Sequence, residues 1–374
     1  MFLPREEESA LFRRVGRKEA LVLVGPRRAG KSTLALRLLE LWKATRGAGE
    51  YLDLEKTGAP ADAGELASAL SKIPKKSLVV LDEIQAVEGW TRLVRDEIEY
   101  GRHRLLITGS SASLLSSEIA SSLAGRALPG SVLPLSYRNA RLWGLKSLSE
   151  YLDVGGYPEC VLRPQDAREL HAAYFEIAVL RDVAARKRLR ETKPLRDLAV
   201  LVLSEPGKKI SSSKTAARLG LSQPTFRSFL QALNDAFLVL SVPPFLRSPR
   251  ETVVADAKHY AYDPGLQRTV SISRSEDYGR RVENLVAIEL VRRGYALSHT
   301  DECDFIALKT GAAPLAVQVC ASSDETPERE IPGLASGMRT ARAEGMLLVS
   351  ERTGLKMPSR AIEKTVEEWL LEPV

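Results

Sequence analysis

Apolar residues in the first part of the chain gather in short runs separated by stretches of helical spacing. The runs at 20–24, 77–81 and 104–108 are nearly continuous in Val, Leu and Ile, and 50–54 is read with them as a further strand. Such runs mark strands buried on both faces. Residues 32–42 place their leucines at helical intervals directly after a glycine-rich turn. Strands alternating with helices predict a parallel sheet covered on both sides, an α/β core. From 147 to about 190 the spacing is helical, broken by Gly155-Gly156-Tyr157-Pro158. Residues 195–242 predict a small helical module, and the pattern returns to mixed α/β from 260 onward.

The turn after the first strand carries chemistry. Gly25-Pro26-Arg27-Arg28-Ala29-Gly30-Lys31-Ser32, with Thr33 next, fits the spacing G-x-x-x-x-G-K-[ST]. Two glycines let the loop turn its backbone N–H groups toward one anion. The helix that follows adds its positive end. Lys31 supplies a mobile charge for the terminal phosphates, and Ser32 offers a hydroxyl to Mg²⁺. The expected ligand is a nucleoside triphosphate, ATP, with Mg²⁺ as cofactor. A strand ending in Asp82-Glu83 adds two carboxylates at the edge where α/β sheets bind ligands. Asp82 is expected to orient the metal with Ser32, and Glu83 to polarise the attacking water.

Further candidates are open to two readings each. Ser110, or with less support Thr108, follows the third long apolar run and could meet the γ-phosphate or the water; these residues could equally cap the next helix. Arg126 is a candidate arginine finger acting on a neighbouring subunit's site, or else a surface ion-pair residue. The basic stretch RDVAARKRLR, 181–190, reads as a phosphate-backbone contact or as a solvated helix face.

Composition narrows the class without identifying it. Of the 374 residues, 44% are hydrophobic and 27% charged, and the formal net charge is +6. That balance permits a polyanionic partner without requiring one. No apolar run reaches the length that crosses a bilayer, and the start MFLPREEESALFRR does not read as a secretory signal, so a cytoplasmic location and no membrane partner are expected. Three scattered cysteines and four scattered histidines form neither a disulfide framework nor a zinc pattern.

GPRRAGKST, VVLDEIQ, ITGSS, SLAGR, PLSYR and GGYPE occur in an order that resembles AAA-type P-loop ATPases of archaea and bacteria. Those proteins carry an AAA_14-like ATPase domain followed by a DUF4143-like region. The likeness extends to Arg181-Asp182-Val183, to Lys258-His259-Tyr260-Ala261-Tyr262-Asp263 and to Glu283-Asn284-Leu285-Val286. It implies an ATPase of the signal-transducing branch with a winged-helix module and a restriction-endonuclease-like end. The expected layout is 1–145 ATPase, 146–194 helical lid or linker, 195–255 winged-helix-like module and 256–374 degenerate nuclease-like domain. Arg126 would complete a site in trans if copies form a ring or arc.

Residues 210–233 resemble a winged helix-turn-helix. Ser222 caps the second helix and Pro224 opens it. Leu219, Leu221, Phe226, Phe229, Leu230 and Leu233 would face a core. Gln223, Thr225, Arg227 and Ser228 would face outward toward a DNA groove, with Lys208, Lys209, Lys214 and Arg218 on phosphates. A protein-contact role for the same fold stays open. In the last region Glu283, Asp304 and Val317-Gln318-Val319-Cys320 resemble a PD-(D/E)XK nuclease in which Gln318 replaces an acid and Cys320 the lysine. An amide does not replace a carboxylate on a hard cation, so a scaffold without cleavage is expected; Lys309 could migrate into the lysine's role, but nothing in the sequence places it there. The working expectation is an ATPase coupled to DNA, with a nucleotide switch acting on protein partners and an ATP-dependent nuclease as rivals.

Overall fold

The computed structural model describes residues 3–373 except 110–113, 115–122, 124, 186, 188, 247–255, 274–276 and 322–325. It divides into two compact units: residues 1–133 with 235–237, and residues 134–234 with 238–374.

The first unit is built on a five-stranded sheet. Its strands are β1 (Ala20–Val24), β2 (Gly49–Asp53), β3 (Leu78–Asp82), β4 (Arg104–Gly109) and β5 (Ala127–Ser131). They lie in the order β2-β3-β4-β1-β5, and every pair is parallel. Four of these strands follow the apolar runs to within a residue. The fifth, Ala-Leu-Pro-Gly-Ser, carries no strand pattern because Pro129 donates no hydrogen bond and Gly130 packs nothing; it is tolerated at the sheet edge beside β1. Helices α1 (Glu8–Arg14), α2 (Lys31–Thr45), α3 (Ala63–Ser71) and α4 (Trp90–Tyr100) lie in the same unit. Leu34, Leu38 and Trp42 of α2 pack with Leu21 and Leu23 of β1, Leu78 and Val80 of β3, and Leu11 and Val15 at the end of α1. This apolar cluster fixes the start of α2 at the carboxyl ends of the strands.

The second unit begins with helices Tyr137–Leu142, Leu148–Val154, Pro158–Leu162 and Ala167–Ile177. Residues Ala178–Ala185 continue as a π-helix in which Asp182, Val183 and Ala184 are buried. The helix Lys193–Ser204 leads to α5 (Ser212–Arg218) and α6 (Gln223–Asp235). An antiparallel pair follows, β6 (Val239–Val242) with β7 (Lys258–Ala261). Phe226, Phe229 and Leu233 are buried on α6 as the sequence predicts, while Leu219, Leu221 and Leu230 are half-buried.

Next come the helix Pro264–Val270, α7 (Tyr278–Arg292), β8 (Ala296–Ser298), β9 (Phe305–Leu308), β10 (Leu315–Cys320), α8 (Pro327–Ala341), β11 (Glu344–Val349) and β12 (Ala361–Thr365). The sheet order is β12-β11-β10-β9-β8. β8, β9 and β10 run antiparallel to one another, and β10, β11 and β12 run parallel. Its core holds Cys303, Ile306, Cys320, Leu334 and Leu347.

Candidate active site

The loop from Val24 to Lys31 leaves a buried strand and enters a fifteen-residue helix. Two glycines make the turn feasible for different reasons. A Cβ on Gly25 would lie 2.0 Å from the Val132 carbonyl oxygen, so any side chain there collides with backbone. Gly30 has φ 90, in the left-handed region that glycine enters without cost. Arg5 braces the loop from outside its own segment: its guanidinium donates to Ala29 O at 2.5 Å and to Leu133 O at 2.8 Å. Lys31 is buried, and its Nζ donates to Gly25 O at 3.1 Å and Pro26 O at 2.9 Å. Arg27 pairs loosely with Glu55 at 3.5 Å, and Arg28 and Thr33 are exposed.

Asp82 ends β3 level with Thr108 near the end of β4. Three hydroxyls hold its carboxylate. Ser32 Oγ donates to Oδ1 at 3.0 Å, Thr108 Oγ1 to the same oxygen at 2.5 Å, and Tyr51 OH to Oδ2 at 2.6 Å. Burial, and then the Asp82 hydrogen bond, raise the Tyr51 phenol far above its ordinary range, so it stays a donor. Neutral donors fix the direction of a carboxylate and leave its charge for an incoming cation. Asp82 and Ser32 thus place a carboxylate oxygen and a hydroxyl 3.0 Å apart beside the phosphate loop.

Glu83 follows with φ 55 and ψ 52, a left-handed conformation rare for a residue with a Cβ. Its N–H donates to Thr108 Oγ1 at 3.0 Å, which holds the turn, and Gln85 Nε2 donates to its carboxylate at 2.5 Å. The sequence ranked Ser110 above Thr108; Thr108 is the residue that joins Asp82 and Glu83, and Ser110 lies outside the described residues. Tyr51 and Arg5 were not singled out from the sequence. Tyr51 sits in an alternating edge strand where an aromatic reads as packing, and its ring does pack on the core cluster.

Arg126 forms an exposed ion pair with Glu99 of α4, with Nε at 2.9 Å and an Nη at 2.8 Å from one oxygen. Of the helical-module candidates, Lys208, Lys209, Lys214, Arg218, Gln223 and Arg227 are exposed. Lys208 pairs with Glu205 at 2.8 Å and Lys209 with Asp301. Thr225 is half-buried: its N–H donates to the capping Ser222 Oγ at 3.2 Å, and the two hydroxyls lie 2.7 Å apart. Lys187, from the basic stretch, donates to Ser228 of α6 at 2.8 Å.

A second charged cluster lies in the second unit. Lys258 Nζ on β7 is 3.2 Å from Glu283 Oε1 on α7 and 3.3 Å from Asp304 Oδ1 before β9. Tyr260 OH donates to Glu283 Oε1 at 2.7 Å, and Val319 N–H to Asp304 Oδ2 at 3.0 Å. Burial and the Glu283 charge push the Asp304 carboxyl up, while Lys258 and the Val319 amide pull the other way. Burial works to lower the Lys258 ammonium, but the two carboxylates outweigh it and hold it above its ordinary value. Lys309 is elsewhere, with Nζ 5.5 Å over the Tyr295 ring. Among the described residues, no group of three or more His, Cys, Asp or Glu side chains could hold a metal, and no helix is long and apolar enough to cross a membrane.

A glycine-braced loop at the head of a helix, facing an acid held at the end of a parallel strand, defines a P-loop nucleotide site, and residues 17–140 match the model of an AAA domain, AAA_14. This unit is an AAA-type P-loop ATPase domain. Residues 145–277 match a domain of unknown function, DUF8612, where the sequence resemblance pointed to the DUF4143 type. An uncharacterized protein of Haemophilus influenzae is 31% identical over 317 residues, 77% of this chain and 79% of that protein. The chain belongs to the same family as that protein. An uncharacterized protein of Methanocaldococcus jannaschii is 29% identical over 365 residues, covering 87% of this chain and 80% of its own length. Among solved structures, AMPPCP-bound DnaA from Aquifex aeolicus overlaps 61% of this chain and 86% of its own at 10% identity and TM-score 0.31. At that score the overlap is too low to transfer a fold or a function.

Proposed function

We propose that the chain is a Mg²⁺-dependent ATPase that couples ATP binding and hydrolysis to DNA binding or remodelling, and that it cleaves no nucleic acid itself. The observation that carries the ATPase reading is the Asp82 carboxylate, oriented by Ser32, Thr108 and Tyr51 beside the phosphate loop. In this reading the loop Gly25–Thr33, through the N–H groups of every residue but Pro26, and the Lys31 ammonium bind the phosphates. Lys31 leaves two carbonyls to do so, an exchange of neutral acceptors for anionic ones that favours the bound state. Asp82 and Ser32 hold Mg²⁺, which neutralises phosphate charge. Glu83 accepts the proton of the attacking water once its carboxylate leaves Gln85. Arg126 serves a neighbouring copy in a ring or arc; its exposed pair with Glu99 is weak enough to exchange for a phosphate.

The DNA part rests on the order of elements in 195–255 and beyond. Two helices, α5 and α6, precede an antiparallel pair, the order of a winged helix, and Lys214, Arg218, Gln223 and Arg227 are exposed on them. Residues 256–374, with a helix, three antiparallel strands, a helix and parallel strands, support the nuclease-like scaffold.

The test is steady-state ATP hydrolysis with and without duplex, single-stranded and branched DNA at two salt concentrations. Stimulation that fades as salt rises supports the phosphate backbone as partner. A second reading, a nucleotide switch acting on protein partners or oligomer state, is favoured by Gln85, whose grip on Glu83 would keep turnover slow. No stimulation by any DNA, with an ATP-dependent change in oligomer size, selects the switch. Mg²⁺-dependent plasmid cleavage lost in Asp304→Ala selects a nuclease.

A further inference from the structure

We propose that the Lys258 ammonium is the resident cation of the Glu283–Asp304 carboxylate pair, and that it closes to divalent metals a centre that would otherwise accept one. Three separate observations lead there. The first is position. Lys258 Nζ lies within 3.3 Å of one oxygen from each carboxylate, so it stands between them where a bridging cation would sit. The outer oxygen of Asp304 is taken by the Val319 N–H, and Glu283 Oε1 also accepts from Tyr260. A Cβ at position 207 would lie 2.9 Å from Glu283 Oε1, so the loop at Gly207 packs directly on that carboxylate.

The second observation is that Gln318 is spent on other groups. Its Oε1 accepts from the Asp304 N–H at 3.1 Å, and its Nε2 donates to Glu330 at 2.6 Å. The amide ties β10 to α8 and to the backbone before β9 and offers the pair no third oxygen. The third observation is Cys320, which is buried in the apolar cluster with Leu334 and Leu347. A divalent cation needs several oxygens at close range. Here Gln318 and Cys320 add no oxygen, so a metal would be held by the two carboxylates and water alone, and the ammonium occupies the place between those carboxylates.

The lysine arrives from β7, the second strand of the pair that follows α5 and α6. The ion cluster therefore joins that strand to α7 and to the sheet. An ammonium between two half-buried carboxylates offsets part of their desolvation cost, and removing it leaves uncompensated charge. Divalent metal is the natural replacement, because the pair then regains a cation.

This inference deepens the reading in which the chain cleaves no nucleic acid itself. Its test reads metal binding and melting rather than ATP turnover or DNA binding, so either can fail without the other. Mn²⁺ is titrated into the nucleotide-free full chain and followed by its electron paramagnetic resonance. The proposal expects the same number of bound ions in wild type and Asp304→Asn. One ion fewer in Asp304→Asn overturns it. Lys258→Met is expected to melt about 10 °C lower than wild type. Millimolar Mn²⁺ should restore several degrees of that loss and should restore none in the double variant Lys258→Met, Asp304→Asn. A Lys258→Met protein that Mn²⁺ stabilises no more than the double variant also overturns the proposal. If Lys258→Met does not fold, Lys258→Gln takes its place in the same comparison.

Discussion

The two charged centres of this chain handle a carboxylate in opposite ways. At the end of β3 the donors that orient Asp82 are hydroxyls, from Ser32, Tyr51 and Thr108. In the second unit the pair Glu283 and Asp304 is bridged by the ammonium of Lys258. Hydroxyls fix direction and leave the negative charge to be matched by something that arrives. An ammonium matches the charge from within and fixes the geometry at the same time. The first arrangement suits a site whose cation comes with a substrate; the second suits a joint.

The largest effect that would break this contrast is in the first centre. Lys31→Ala is expected to lower ATP turnover at least about 100-fold, and Glu83→Gln by about 100- to 1000-fold with nucleotide binding kept. Phosphate release and a fluorescent-nucleotide titration check both, and full turnover in either variant removes the site. Next, Lys258→Met should cost the second unit about 3–5 kcal/mol while a folded sample hydrolyses ATP within about twofold of wild type. Denaturant melts paired with turnover measure this; a collapse of turnover in a folded variant would show that the centres are coupled.

A smaller effect follows from His259. It is buried on β7, its Nδ1 lies 2.9 Å from Ser241 Oγ, and burial lowers its pKa to about 4 against a weaker pull from Asp256. The unfolded imidazole protonates near 6.5 and the folded one near 4, so the unfolded chain binds more protons between these values. Stability is full above about pH 6.5 and falls as pH drops toward 4, by about 2 kcal/mol at about pH 5. His259→Asn should flatten that slope in denaturation curves taken across the range. The smallest effect is at Tyr51. Tyr51→Phe keeps the ring on the core and removes one hydroxyl, at a cost of about 1 kcal/mol. It should raise the Mg²⁺ needed for half-maximal turnover by about 3- to 10-fold. An unchanged Mg²⁺ dependence would remove Tyr51 from the site.

The phosphate loop was legible because its meaning lies in spacing within eight residues and in a buried strand just before it. Asp82 was legible for the same reason, as the polar end of an apolar run. Thr108 was harder: one hydroxyl among several at the end of β4 shows its task only when parallel register brings it level with Asp82. Tyr51 was invisible, because an edge-strand aromatic has a packing role whether or not its hydroxyl has another. Lys258 has no chemistry legible within its own motif, Lys258-His259-Tyr260-Ala261-Tyr262-Asp263. Its partners are 25 and 46 residues away, on a helix and before a strand. Nothing in the sequence places Lys309 in the lysine's role, and its ammonium lies over the Tyr295 ring. The edge strand β5 was missed because Pro129 and Gly130 hide it, although its pairing with β1 helps to place Val132 over Gly25.

The bridge at Lys258 also bears on how the chain fares when metal is scarce. On the proposed reading, a cell or a buffer stripped of divalent ions by a chelator would silence the nucleotide site and leave the joint around Glu283 and Asp304 intact, since its counter-charge is written into the polypeptide. Starvation for magnesium would then idle the protein without dismantling it, and turnover would resume on resupply with no need to refold.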